Sequence, residues 1–199
     1  MAGRFPRSFY ARSALRVAPE LLGRVLVRTL TDGTRLAARI VETEAYLPGD
    51  PASHAFRGMT RRNEVMFGPP GRLYVYFTYG NHWMMNAVTG RAGQGAAVLL
   101  RAAEPLDGLE RMAANRGRED PRDLCSGPGK LAKAFGVTGA QNGLDLVRGS
   151  DMHILEGRPV PRSRVSRTTR VGVTLGAERR WRFIVTGDPF VSRGRPSGP

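Results

Sequence analysis

The segment Ile40–Tyr46 reads IVETEAY and sets two carboxylates and a phenol at alternate positions. In an extended strand Ile40, Glu42, Glu44 and Tyr46 point to one face, and Val41, Thr43 and Ala45 to the other. Such a face can be solvated, with Glu–Arg pairs on it. It can also hold a carboxylate beside an aromatic ring, where desolvation raises its pKa toward a base's working range. Periodicity alone leaves both readings open. A second aromatic group lies in RLYVYFTYGNHWMMNAVTG, residues 72–90. Tyr74 and Tyr76 share a strand face there, and Tyr79 sits beside Gly80 at the expected tip of a hairpin. A tip tyrosine either packs sideways as an ordinary loop residue or enters a base stack as a wedge.

The other reactive residue types offer less. His54, His82 and His153 are scattered, with no second Cys or His at ligand spacing, so no metal site is expected. Cys125 is the one cysteine and carries no nucleophile signature; it reads as a small buried apolar residue. Ser126–Lys130 (SGPGK) lacks Walker spacing. Its backbone N–H groups could hold a phosphate, or Pro128 could simply open a helix.

These residues need a sheet to position them. A helical turn from Glu20 running into the strand RVLVRTL, an Asp32-Gly33 turn and the strand RLAARIVETEAY are expected in succession. Residues 57–70 read as loop. The two aromatic runs on either side of Gly80-Asn81 predict a hairpin with a two-residue turn. GAAVLLRAAEPL is a further strand, short helices fit Leu106–Asn115 and Gly129–Phe135, and Val171–Leu175 and Trp181–Val185 supply the last strands. The fold class expected is α+β, a single domain around a curved, mostly antiparallel sheet with a protruding hairpin and short helices. Residues 1–12 read as a basic arm, 13–192 as the domain and 193–199 as a flexible tail, with fraying already expected from Ser192.

Composition narrows the partner. Of 199 residues, 31 are Lys or Arg against 17 Asp or Glu, a formal charge of +14, and all the basic residues but Lys130 and Lys133 are arginine. Such a surplus suits a polyanion, because each neutralised phosphate releases condensed counterions. A GC-rich coding bias toward arginine is the plain alternative. The arginines from Arg158 to Arg170 have no acid among them. No apolar run is long enough to span a membrane, the N-terminus has no signal-like apolar core, and one cysteine excludes a disulfide framework. A cytoplasmic, nucleoid-associated protein is expected.

Several long blocks then fall into one pattern. VETEAY (41–46), SHAFRG (53–58), TRRNEVMFGPPGRLYVYFTYGNHWMMNAV (60–88), AAVLLRAAEPLDG (96–108), LCSGPGKLAKAFGV (124–137) and RVGV (170–173) resemble, in order and over nearly the whole chain, the alkyladenine (3-methyladenine) DNA glycosylases. The resemblance implies a fold like a formyltransferase C-terminal domain and no cofactor. It implies Glu44 as the general base that activates water, with Arg101 and the main-chain carbonyl of Val171 holding that water. Tyr46, His54 and Tyr76 become the walls around a flipped base, Asn86 the group crowding a guanine amine, and Tyr79 the intercalating residue. Arg61 and Lys130 are the expected contacts to the DNA backbone. Glu42 is expected in a structural ion pair.

The implied reaction is release of alkylated purines (3-methyladenine, 7-methylguanine and, among neutral bases, ethenoadenine or hypoxanthine) from double-stranded DNA by a monomeric enzyme. A strand-nicking glycosylase needs an amine for a Schiff base, and this chain has only two lysines, so a monofunctional hydrolase is expected. Two other classes are a nucleic-acid-binding protein without catalysis and an acyl- or formyltransferase. The first leaves the acidic strand unexplained, and the second lacks a nucleophile or cofactor loop.

Overall fold

In the computed structural model, which describes residues 3–78 and 80–194, the two longest strands lie side by side at the centre. They are β2 (Arg35–Tyr46) and β5 (Ala96–Asp107), antiparallel and buried along most of their length. Cover on both faces explains why both read as nearly unbroken apolar runs, against which Glu42, Glu44 and Arg101 stand out. On its other edge β2 serves two neighbours. Its first half pairs with β1 (Val25–Thr29), and Glu42–Glu44 pair with β8 (Arg182–Val185). β3 (Leu73–Thr78) and β4 (His82–Thr89) extend the sheet beyond β5, β6 (Met152–Leu155) closes the β1 edge, and β7 (Val165–Thr168) pairs with β8. Every strand pair is antiparallel, and all eight strands belong to one sheet.

Short helices cover the sheet. α1 (Arg7–Tyr10) is a single turn, and α2 (Ala14–Glu20) starts at Ser13, whose hydroxyl accepts the Leu15 N–H. The Thr43 hydroxyl donates to the Ala18 carbonyl at 2.9 Å, so α2 lies on the face of β2 opposite the glutamates. α3 (Leu109–Arg116), α4 (Pro121–Leu124) and α5 (Pro128–Ala134) pack together, with α5 laid on β4 and β5.

Five expectations are corrected. Residues 3–12 are no arm: Phe5, Phe9 and Tyr10 are buried, with the Phe5 and Phe9 rings stacked at 3.9 Å. Their apolar surface outweighs the flanking charges, which lie at the rim. The helix near Glu20 ends there rather than begins. Gly23 follows at φ 81°, where a Cβ would meet the Arg158 carbonyl at 2.2 Å. The last register pair of the hairpin joins Thr78 to His82, so Gly80-Asn81 is not by itself a two-residue turn between paired strands, and Gly80 stands at φ 70°. Val171–Leu175 is not a strand; Gly172 turns the chain there at φ 72°. Ser192 is not frayed, because it is buried against Glu42. The short strands β6 and β7 had no expected counterpart.

Candidate functional site

The acids of β2 sit where the sheet register slips. The β2–β5 ladder pairs Glu42 with Ala102 but Thr43 with Leu100, leaving Arg101 as an extra residue. A bulge of this kind re-aims side chains. Here Arg101 lies between the two carboxylates, its Nε donating to Glu42 Oε1 at 2.7 Å and its Nη1 3.4 Å from Glu44 Oε2. Burial opposes the guanidinium charge, but Glu44 and Glu42 outweigh it and push the Arg101 pKa above its ordinary value.

The two carboxylates differ in their partners, although both are fully buried. Glu42 accepts from Arg101 and from Arg182 Nε at 2.7 Å. It also accepts from the Ser192 N–H at 2.7 Å and the Ser192 hydroxyl at 3.0 Å. Burial would raise its pKa; Arg101 and Arg182 overcome that and hold it below the usual carboxylate value. Its role is the structural ion pair expected of it. Arg182 and Ser192 were not foreseen as its partners, and the only sign of the first is an arginine set between Trp181 and Phe183 in an apolar strand.

Glu44 is held more lightly. The Val171 N–H donates to Oε1 at 2.8 Å, the Tyr46 hydroxyl donates to Oε2 at 2.9 Å, and Arg101 stands beyond. Burial, then the adjacent Glu44 charge, pushes the Tyr46 pKa well above its ordinary value, so the phenol keeps its proton as the donor. The loop form of Val171–Gly172 is what aims this N–H at the carboxylate.

Beside this cluster opens a cavity of about 280 Å³, lined by Tyr46, His54, Tyr76, Asn86, Arg101 and Val171 among others. It lies near the small end of ligand pockets, roughly 300–1,000 Å³. The His54 ring is 4.2 Å from that of Tyr76, and Tyr74 and Tyr76 lie 5.4 Å apart on their shared strand face. His54 Nδ1 lies 3.1 Å from the Tyr74 hydroxyl, and the Asn63 amide donates to the His54 carbonyl at 2.8 Å, which fixes the loop after β2 against β3. Burial, with Arg62 adding to it, lowers the His54 pKa and favours the neutral ring. Asn86 is pinned through its amide to the Tyr74 carbonyl at 3.2 Å.

The structure therefore brings together Arg101, Val171, Tyr46, His54, Tyr76 and Asn86 around one cavity, with Glu44 directly behind it in contact with the first three. Tyr79 lies outside the described residues. Arg61 is exposed on the loop that Asn63 staples. Lys130 turns toward Asp123, with which it forms an ion pair. The last arginine of the basic run departs from its neighbours. Arg162, Arg164 and Arg167 are exposed, whereas Arg170 is fully buried and paired with Asp50. Cys125 is buried too, and that burial raises its thiol pKa to about 12. No helix among the described residues is long and apolar enough to cross a membrane.

Comparison with known proteins adds a second line of support. The family model for methylpurine-DNA glycosylase matches residues 8–189. A protein of Carboxydothermus hydrogenoformans is 47% identical over 188 residues, 94% of this chain and 98% of its own length. One from Chlorobaculum parvum is 47% identical, covering 98% of this chain and 94% of its own. One from Methanoculleus marisnigri is 48% identical, covering 94% and 98%. Each bears the provisional name of a 3-methyladenine DNA glycosylase.

Proposed function

The chain belongs to the methylpurine-DNA glycosylase family, and we propose that it is a monofunctional enzyme hydrolysing the N-glycosidic bond of alkylated purines flipped out of duplex DNA. The observation that carries this reading is Glu44, a buried carboxylate whose two oxygens are held by Val171 and Tyr46, both of which line the aromatic cavity.

A purine alkylated at N3 or N7 is a cation, and the facing rings of the cavity attract it by about 0.5–2 kcal/mol each. The base sits between Tyr46 on one side and His54 and Tyr76 on the other. A neutral His54 adds no repulsion there. The C1′–N bond breaks with its electron pair moving to the base, which leaves as a neutral purine and needs no proton. Positive charge then develops on the sugar, where the Glu44 anion stabilises it. Water, oriented by Glu44, Arg101 and the Val171 carbonyl, adds its oxygen to C1′, and Glu44 takes the proton. Arg101, its Nη1 3.4 Å from Glu44 Oε2, sets a positive charge beside that carboxylate and the attacking water.

Extruding the nucleotide costs a few kcal/mol, least where the base is damaged. Tyr79, filling the gap in the stack, offsets part of that cost. Lys130 is paired with Asp123 rather than aimed at the cavity, and the product is an abasic site on an intact strand. The test is incubation with methylated duplex DNA, measuring free purine and strand length before and after alkali. Free purine with breaks only after alkali is expected. Breaks without alkali would contradict the monofunctional reading, and tight duplex binding without purine release would turn the chain into a binding protein.

A further inference from the structure

Arg170 stands immediately before the residue whose N–H orients Glu44, and it is the one member of the basic run withdrawn completely from solvent. Its two terminal nitrogens fork onto the carboxylate of Asp50, which is itself fully buried; Nη2 donates to Oδ1 at 3.0 Å and Nη1 pairs with Oδ2. Nη1 also donates to the carbonyl of Ala45, between Glu44 and Tyr46, at 3.3 Å, and Nη2 to the Gly176 carbonyl at 3.3 Å. The guanidinium lies 4.7 Å from the centre of the Tyr46 ring and 5.2 Å from that of Trp181.

A buried guanidinium with a bidentate partner and two ring contacts has its plane fixed, which a lysine ammonium cannot reproduce. That plane ties together the backbone at Ala45, the loop carrying Asp50 and the turn at Gly176. Each of these is close in sequence to a group of the proposed site: Tyr46 on β2, His54 beyond Asp50, and Val171 before Gly176. Its Nε is buried without a hydrogen-bond partner among the described residues. An arginine kept only for cohesion would be expected to satisfy that donor.

We propose that Arg170, clamped by Asp50, is a positioning residue that sets the Tyr46 ring and the Val171 N–H, and through them the orientation of Glu44. It is fully buried and does not line the cavity. This inference rests on Glu44 being the catalytic base, and its test separates the two claims by reading the Val171 amide directly.

Arg170→Lys and Arg170→Gln are compared with wild type by hydrogen exchange at the Val171 amide and by single-turnover purine release from methylated duplex. Affinity for an uncleavable abasic-analogue duplex is measured alongside. In Arg170→Gln, Val171 protection falls at least about tenfold while the amides pairing β1 with β2 keep theirs. The single-turnover rate falls roughly 10²-fold, the scale of a 1 Å misplacement, with duplex affinity within about threefold of wild type. Arg170→Lys, which keeps the charge beside Asp50 but loses the flat fork, recovers the Val171 protection in part and the rate less. It also serves as the readout should the glutamine variant not fold. Unchanged Val171 protection and an unchanged rate in a folded variant would overturn the proposal. So would a uniform loss of protection across the sheet, which marks an ordinary core contact. If wild type itself releases no purine, the catalytic reading fails, and the Val171 amide still decides whether Arg170 positions that loop.

Discussion

Glu42 and Glu44 stand two residues apart on one strand, both fully buried and both within reach of Arg101, yet their surroundings differ. Glu42 accepts from two guanidinium groups and from both donors of Ser192, three of these four bonds falling on Oε1. Glu44 is held by one backbone N–H and one phenol, with the arginine further off, beside an open cavity. The contrast is what the proposed function requires of one strand that is to carry both a structural acid and a reactive one. Burial alone does not separate them; the completeness of the hydrogen bonding does. A carboxylate so held cannot accept a proton from water without breaking a network, whereas a lightly held one can.

That contrast is open to attack from its structural side first. Glu42→Gln leaves Arg182 a buried cation without its countercharge and Arg101 with Glu44 alone, a change that costs about 3–5 kcal/mol. Denaturant unfolding should show this loss, while Glu44→Gln, whose amide oxygen still accepts the Val171 N–H and whose NH2 can donate to the Tyr46 hydroxyl, should lose under about 2 kcal/mol. Equal losses would erase the distinction. The acid response should follow Glu42 as well. Its folded-state pKa lies below its ordinary 4.5, so its stabilising contribution is complete above that value and is lost as pH falls through the lower folded value. Thermal unfolding of wild type should therefore drop below about pH 4.5, and Glu42→Gln should drop less steeply over the same range.

A smaller effect sharpens the reactive side. Tyr76→Leu keeps an apolar wall but removes the ring, and should weaken binding of a cationic base by about 0.5–2 kcal/mol, with less effect on a neutral one. Competition by 3,9-dimethyladeninium, which keeps the positive charge, against neutral 9-methylhypoxanthine reads this difference. The smallest effect lies furthest from the acids. Arg61→Ala should reduce the slope of log affinity against log salt by about one, because one phosphate contact is lost. Lys130→Ala should change it less, since Asp123 already holds that ammonium.

The parts of this arrangement differ in how plainly they show in the chain. The β2 strand has the bounds expected from its apolar pattern, and β5 nearly so, because long strands buried on both faces leave a strong signal. The acid strand itself left a solvated face and a buried site equally open; the structure decides for burial, with arginine partners inside it. The Arg101 bulge was not legible, since a one-residue slip in register depends on pairing with a strand more than fifty residues away. Phe5, Phe9 and Tyr10 were masked by arginines scattered among them, although their spacing is helical. Val171–Leu175 failed for the opposite reason. Its β-branched residues suggest a strand, but the chain turns at Gly172 and spends the Val171 N–H on Glu44. Arg170 and Asp50 were hidden because they pair across 120 residues.

The most direct test of the division between the two acids is single-turnover purine release from methylated duplex DNA by Glu44→Gln, normalised to folded protein that still binds the duplex. A fall of about 10²–10⁴-fold, the usual contribution of a positioned base, with binding retained, is the predicted result. Release at the wild-type rate would contradict it, leaving Glu44 a second structural acid.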